Sequence, residues 1–465
     1  MRYISTRGVS PALNFEDVLM AGLARDGGLY VPEFIPVLSS EEIKAFKSLK
    51  YEEVAYRVMK PFVGDTFTKS EFKTLIEGAY SSFYNSDICP LVELSKNNFL
   101  LELFHGPTLA FKDVAMQLIG KMFESILRRR NSRATIVAAT SGDTGSAAME
   151  AFRGNDLADV FVLFPEGRIS GVQRRQMTTL SEKNLHAISV GGDFDDCQSL
   201  VKQMFNNVVF REKVKLSGVN SINWARVLAQ TVYYFTSAVA LGAPQNKVSF
   251  VVPTGNFGNI FAGYIAKQMG LPIHRLIIAT NENDILHRTL LTGDYVRENL
   301  LITSSPSMDI QIASNFERLL FSLEEKNGSK IAKKMQDLSN SGRFSLSPGA
   351  LDSLRENFSS GSASNQETLL TIESIKEKWG EIVCPHTAVA LKVAESLDDR
   401  DTSYPVISLA TAHPAKFPEA VETATGDIPN LPERYADLLT KEERVVNVKD
   451  SALRVQEVIT DRILR

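Results

Sequence analysis

Lys112 lies where an apolar run ending at Phe104 gives way, across the turn His105-Gly106-Pro107-Thr108, to an amphipathic helix opening at Phe111-Lys112-Asp113. A lysine held against apolar surface has a lowered pKa, because desolvation disfavours its ammonium form. The neutral amine can then condense with an aldehyde, which is the chemistry a pyridoxal-phosphate site requires. Taken alone, the residue also reads as a solvated lysine on a first helical turn. The loops elsewhere in the chain decide between the two.

Three of these loops follow buried-strand patterns, and each suits an anionic, aldehyde-bearing ligand. Thr140-Ser141-Gly142-Asp143-Thr144-Gly145-Ser146 follows the run ATIVAA. Its hydroxyls and backbone N–H groups can grip a carboxylate or phosphate, although such residues also serve as plain helix caps. Pro253-Thr254-Gly255-Asn256-Phe257-Gly258-Asn259 follows VSFVV. Its glycines let the backbone approach an anion, and the next helix aims its N-terminus there. The loop matches neither the Walker nor the GxGxxG pattern, and it suits the phosphate of a compact cofactor. Thr411-Ala412-His413-Pro414-Ala415-Lys416 follows the run 406–409. Thr411 can hydrogen-bond a heteroaromatic nitrogen, and His413 and Lys416 could meet substrate charge. A further segment, 220–226, ends in Arg226, whose guanidinium could clamp a phosphate bidentately or simply face solvent.

The elements that would carry these loops alternate in period. Apolar runs at 134–139, 160–164, 187–190, 248–252, 276–279 and 406–409 are of strand length, and helical patterns separate them. Strands apolar on both faces with helices between them imply parallel sheets covered on both sides. Right-handed crossovers bring the strand C-terminal ends to one edge. The expected architecture is α/β, with two parallel-sheet domains facing a cleft. Residues 1–97 form a mainly helical extension, 98–212 the first α/β domain and 213–465 the second, with a helical insert at about 284–380. Within it, 327–329 and 339–347 read as loops and the serine-rich 359–365 as a mobile one. Closing helices are expected at 434–439 and 450–463.

Composition narrows the function. A net charge of −4 over 465 residues gives no reason to expect nucleic acid or an anionic membrane as partner. Cys89, Cys197 and Cys384 are too scattered for a disulfide framework or a structural zinc site. No apolar run reaches the ~18–20 residues of a membrane span, and MRYISTRGVS lacks the apolar core of a secretory signal. The expected location is a reducing cytoplasm.

The blocks Ser5-Thr6-Arg7-Gly8, 26–32 (DGGLYVP), 104–108 (FHGPT) with Phe111-Lys112-Asp113, 141–145 (SGDTG), 220–224 (NSINW), 255–259 (GNFGN) and 411–414 (TAHP) occur in that order. In them the chain resembles the threonine synthase family, fold type II pyridoxal-phosphate enzymes grouped with tryptophan synthase β and cysteine synthase. Its length resembles the family's long bacterial and fungal branch. The resemblance implies Lys112 as the Schiff-base lysine, the amides of Gly255, Asn256, Phe257, Gly258 and Asn259 on the cofactor phosphate, and Thr411 at the pyridine nitrogen. It places Ser141 and Thr144 on the substrate carboxylate or phosphate, and Ser221 and Arg226 on the substrate phosphate. Asp143 stands where many relatives carry an asparagine beside the cofactor's phenolic oxygen. A carboxylate there would repel a phenolate unless it were protonated or turned away. Cys384 stands where an aspartate is common. The implied substrate is O-phospho-L-homoserine, and the implied assembly is a monomer or homodimer. Another fold type II lyase or dehydratase, or a non-catalytic binder of the cofactor, is the competing reading.

Overall fold

The computed structural model describes residues 1–397 and 404–463. Its two main sheets grow from the valine- and isoleucine-rich runs. One is five-stranded, in spatial order Val445–Lys449, Leu185–Gly191, Ala158–Pro165, Ala134–Ala139, Leu216–Ser217, and every pairing is parallel. The other is six-stranded, in order Phe358–Ser362, Ile273–Thr280, Val248–Pro253, Val406–Ala410, Asn98–Glu102, Leu91–Ser95. It is parallel except for its last pair. Crossover helices cover the sheets, as strands apolar on both faces require.

These sheets do not follow the expected chain division at residue 212. The strand before Lys112, Asn98–Glu102, pairs with Val406–Ala410 in the larger sheet. The late strand Val445–Lys449 returns to the smaller one. Sheet membership is decided by which edge offers hydrogen-bonding partners, and nearness in sequence carries little of that information. The consequence is functional, because the Lys112 segment is braced by the far end of the chain.

Trp224–Ala240 is apolar nearly all round and runs buried through the centre. The N-terminal extension packs directly onto it. Tyr3 and Phe62 lie with ring centroids 6.0 and 6.1 Å from Trp224, and Phe46 lies 5.8 Å from Phe235. Thr6 donates to Glu317 at 2.6 Å and Arg7 pairs with the same carboxylate at 3.0 Å. The extension is thus part of the core. It also contains a small antiparallel ribbon, Tyr3–Ser5 with Tyr30–Pro32, beside its helices.

Several expected loops are regular. The serine-rich 359–365 segment, expected to be mobile, contributes the edge strand Phe358–Ser362. Small residues suit this edge, since a Cβ on Gly361 would sit 2.9 Å from Val393 Cγ1. Asn327 caps the helix Gly328–Ser341, which Gly342 ends in the left-handed conformation at φ 72°. Arg343–Ser345 then forms a strand where a loop was expected. At 434–439 only the turn Glu433–Tyr435 is helical, while Ala452–Arg462 is the expected closing helix. Among the described residues, no helix is long and apolar enough to cross a membrane.

Candidate active site

Lys112 is the first residue of the helix Lys112–Arg129. The segment before it is zipped to the loop after Val406–Ala410. Leu103 N donates to Ala410 O at 2.9 Å, Phe111 N to Thr411 O at 2.8 Å and His413 N to Leu109 O at 3.0 Å. Leu109 takes a left-handed φ of 62° to close the turn, a strain that surrounding contacts must hold. This brace fixes Lys112 and Thr411 beside each other.

One cleft gathers Lys112, Thr144, Ser221, Arg226, residues 255–259 and Thr411 in its wall. Of the residues predicted from sequence, Ser141 and Asp143 are not part of that wall. Asp143 stands behind Lys112, with Oδ2 3.1 Å from its Nζ. Burial lowers the Lys112 pKa, and the Asp143 carboxylate works against that shift. Burial would raise Asp143, but Lys112 and Lys416 outweigh it and hold the carboxyl well below its usual range. Asp143 is therefore neither protonated nor turned away. It is ionised and neutralised by its neighbours.

Two late residues expected to meet substrate charge do not. Lys416 is fully buried and pairs with Asp143 Oδ1 at 3.0 Å. His413 Nδ1 accepts from Ala415 N at 3.2 Å, capping the turn Pro414–Lys416, and the ring meets Phe104 edge-on.

The loop 255–259 is shaped for an anion. Phe257 adopts φ 62° and turns the backbone into the helix Gly258–Gln268. Its buried ring packs on Phe316 at 5.3 Å, which pins the turn. Asn256 O accepts from Asn315 N and Nδ2, both at 3.0 Å. Two buried donors on the cleft wall, Arg226 Nη1 and Asn259 Nδ2, have no partner among the described residues. Buried polar groups are normally satisfied, so a pair of orphaned donors beside a glycine turn fits an oxyanionic ligand. Burial pushes the Arg226 guanidinium down to about 10, so it stays charged at neutral pH. A Cβ on Gly255 would meet Ser307 O at 2.6 Å. Gly255→Ala must displace that turn, and the dissociation constant for pyridoxal phosphate, read by titrating apoprotein, is expected to rise about tenfold, the equivalent of ~1.4 kcal/mol. An unchanged constant would remove Gly255 from the cofactor subsite.

His386 was missed by sequence reasoning, hidden beside Cys384 in the helix start Pro385-His386. It lines the same cleft, and its Nε2 accepts from Ser307 N at 3.2 Å. The neutral ring therefore carries its proton on Nδ1, which is buried and unpartnered. Burial pushes its pKa down to about 3, and His186 and His413 down to about 4. Their unfolded values lie near 6.5. Between about pH 6.5 and 4 the unfolded chain binds protons that the folded chain refuses. Each histidine then removes stability as pH falls, by about 1.4 kcal/mol per unit. Asp113, raised by burial to about 6, acts in the opposite sense and offsets one of them. The urea unfolding free energy is expected to drop from pH 7 to pH 5, and a flat profile would contradict these assignments.

Residues 2–80 match the family model "Threonine synthase N terminus", 88–406 match "Pyridoxal-phosphate dependent enzyme" and 387–459 match "Threonine synthase, C-terminal". Threonine synthase of Pseudomonas aeruginosa is 49% identical over 99% of this chain and 98% of its own length. That of Saccharomyces cerevisiae is 42% identical over 95% and 94%. The chain belongs to the threonine synthase family. The crystal structure of pyridoxal-phosphate-bound threonine synthase from Brucella melitensis superposes with TM-score 0.96 at 52% identity, covering 99% of both chains. The Escherichia coli threonine synthase structure gives 0.85 at 31%, covering all of both. The two-sheet α/β architecture is thus that of the fold type II pyridoxal-phosphate enzymes, and pyridoxal phosphate is the cofactor of this family member.

Proposed function

We propose that this chain converts O-phospho-L-homoserine and water into L-threonine and phosphate, with Lys112 carrying the cofactor. The observation that supports this most is the meeting, in one cleft, of a buried lysine with depressed basicity, a glycine turn and two orphaned donors. Pyridoxal phosphate, when bound, supplies an electron sink for a carbanion at the substrate Cα. The amides of Gly255, Asn256, Phe257, Gly258 and Asn259, with Asn259 Nδ2, would hold the cofactor phosphate, and Thr411 would face the ring nitrogen. Lys112, once its amine is free, is placed to move the proton at Cα and then at Cβ. Arg226 Nη1 and Ser221 bind the substrate's phosphate and stabilise the charge that develops as it leaves. Ser141 and Thr144 orient the substrate's anionic groups, and Ser141 must move toward the cleft to do so. Narrowing of the cleft over bound substrate would exclude water until the addition at Cβ.

An assay of purified protein with O-phospho-L-homoserine separates the readings. Equimolar phosphate and threonine support this one. Phosphate with 2-oxobutyrate would indicate a lyase of the same fold, and no turnover a non-catalytic relative. The buried free thiols Cys89, Cys197 and Cys384 support a reducing cytoplasmic setting, with the chain acting as a monomer or homodimer.

A further inference from the structure

Asp143 is the point where the site's electrostatics converge. Its Oδ2 faces Lys112 at 3.1 Å, while Oδ1 accepts from Gln173 Nε2 at 2.8 Å and lies 3.0 Å from Lys416 Nζ. Lys416 cannot swing away. Its fully buried ammonium also donates to Thr108 O at 2.6 Å and to Gln176 Oε1 at 2.9 Å, which hold it beside Asp143. Gln176 Nε2 in turn donates to Thr108 O at 3.1 Å.

The charged and titratable groups around this chain of contacts come from three helices, Lys112–Arg129, Trp224–Ala240 and Pro385–Glu395 with its cap. Lys112 faces Asp143 from its helix, with Arg226 beyond it. His386 and Cys384 face Asp143 from the helix Pro385–Glu395 and its cap. Asp113 faces Lys416 across Thr108, accepting from Thr108 N and Oγ1 at 2.7 and 2.6 Å. Asp143 therefore has two ammonium neighbours, and only Lys112 is on the cleft wall.

We propose that Lys416 is a positioning residue that serves as the permanent counter-cation of Asp143, so that the Asp143–Lys416 pair persists when the Lys112 nitrogen is engaged by the cofactor. The proposal rests on the reading that Lys112 binds pyridoxal phosphate. A buried carboxylate stripped of its cation is strongly disfavoured. Whenever the linked Lys112 nitrogen is unprotonated, Lys416 is the cation left against Asp143. The pair also sets the field at the Lys112 nitrogen: Asp143, adjacent, favours its protonated form, and Lys416, one step behind, tempers that preference.

The test is a double-mutant cycle read by the pH dependence of visible absorbance of the Lys112–cofactor linkage in holoenzyme. Asp143→Asn should lower the linkage pKa, and Lys416→Met should raise it, the latter by about one unit, since a charge at such range shifts a pKa by about 1–3 units. Asp143→Asn/Lys416→Met should titrate about one unit above Asp143→Asn alone, and Lys416→Arg should titrate near the unaltered protein. A merely structural Lys416 would move melting temperature without moving the titration. If Lys416→Met titrates like the unaltered protein, or the double variant like Asp143→Asn, the proposal is overturned. Where Lys416→Met alone does not fold, the double variant decides, because it removes both charges of the Asp143–Lys416 pair together. Failure of the underlying reading would look different, as absence of the linkage absorbance in the unaltered protein, and that overturns both.

Discussion

Lys112→Ala is expected to lower turnover of O-phospho-L-homoserine by about 10³-fold, the scale of a lost proton-transfer group, and to abolish the visible absorbance of protein-bound cofactor. The substitution should leave the fold intact. Alanine is the better helix former at the start of Lys112–Arg129. Asp143 would keep Lys416 at 3.0 Å and Gln173 at 2.8 Å, so no buried charge is orphaned. An unchanged melting profile with no absorbance and negligible turnover is the predicted combination. Retained absorbance would place the covalent attachment on another lysine.

Arg226→Ala is expected to reduce kcat/KM for the phosphorylated substrate by about 10²–10⁴-fold, as removal of one partner from a buried charged contact costs about 3–5 kcal/mol. The loss should appear as a raised KM together with a lowered kcat, with cofactor affinity intact. Arg226 is 4% exposed, and its Nη1 has no partner among the described residues. Its burial is worthwhile only if an anion arrives. Arg226→Lys should recover little, because an ammonium cannot reproduce the guanidinium fork. If Arg226→Ala instead releases pyridoxal phosphate, Arg226 belongs to the cofactor's subsite.

The fold's skeleton is legible in the sequence because buried parallel strands are continuous apolar runs. ATIVAA and VSFVV announce themselves, and the loops after them are where ligands gather. Edge strands escape that signal. Leu91–Ser95 and Phe358–Ser362 lie at the two edges of the larger sheet; the first falls within the stretch that reads as a helical extension, and the second carries the small polar residues that read as loop. The pairing of Asn98–Glu102 with Val406–Ala410 has no local signature, since it is decided by the whole sheet.

The cleft residues 255–259, Arg226 and Thr411 were legible as glycine turns and donors at strand ends. What surrounds Asp143 was not. Gln173, Gln176 and Lys416 are ordinary polar letters on separate elements until the fold brings them to Asp143 and Thr108. The one available hint was Lys416 itself, a lysine beside an apolar strand end in TAHPAK. Its place at a strand end suggests a substrate contact, but burial turns it inward.

The central claim, that Lys112 carries the cofactor, is tested most directly by borohydride reduction of the purified holoprotein followed by mass mapping of the modified peptide. The account predicts a single pyridoxyl adduct on Lys112. An adduct on Lys416 or any other lysine, with Lys112 unmodified, would contradict it.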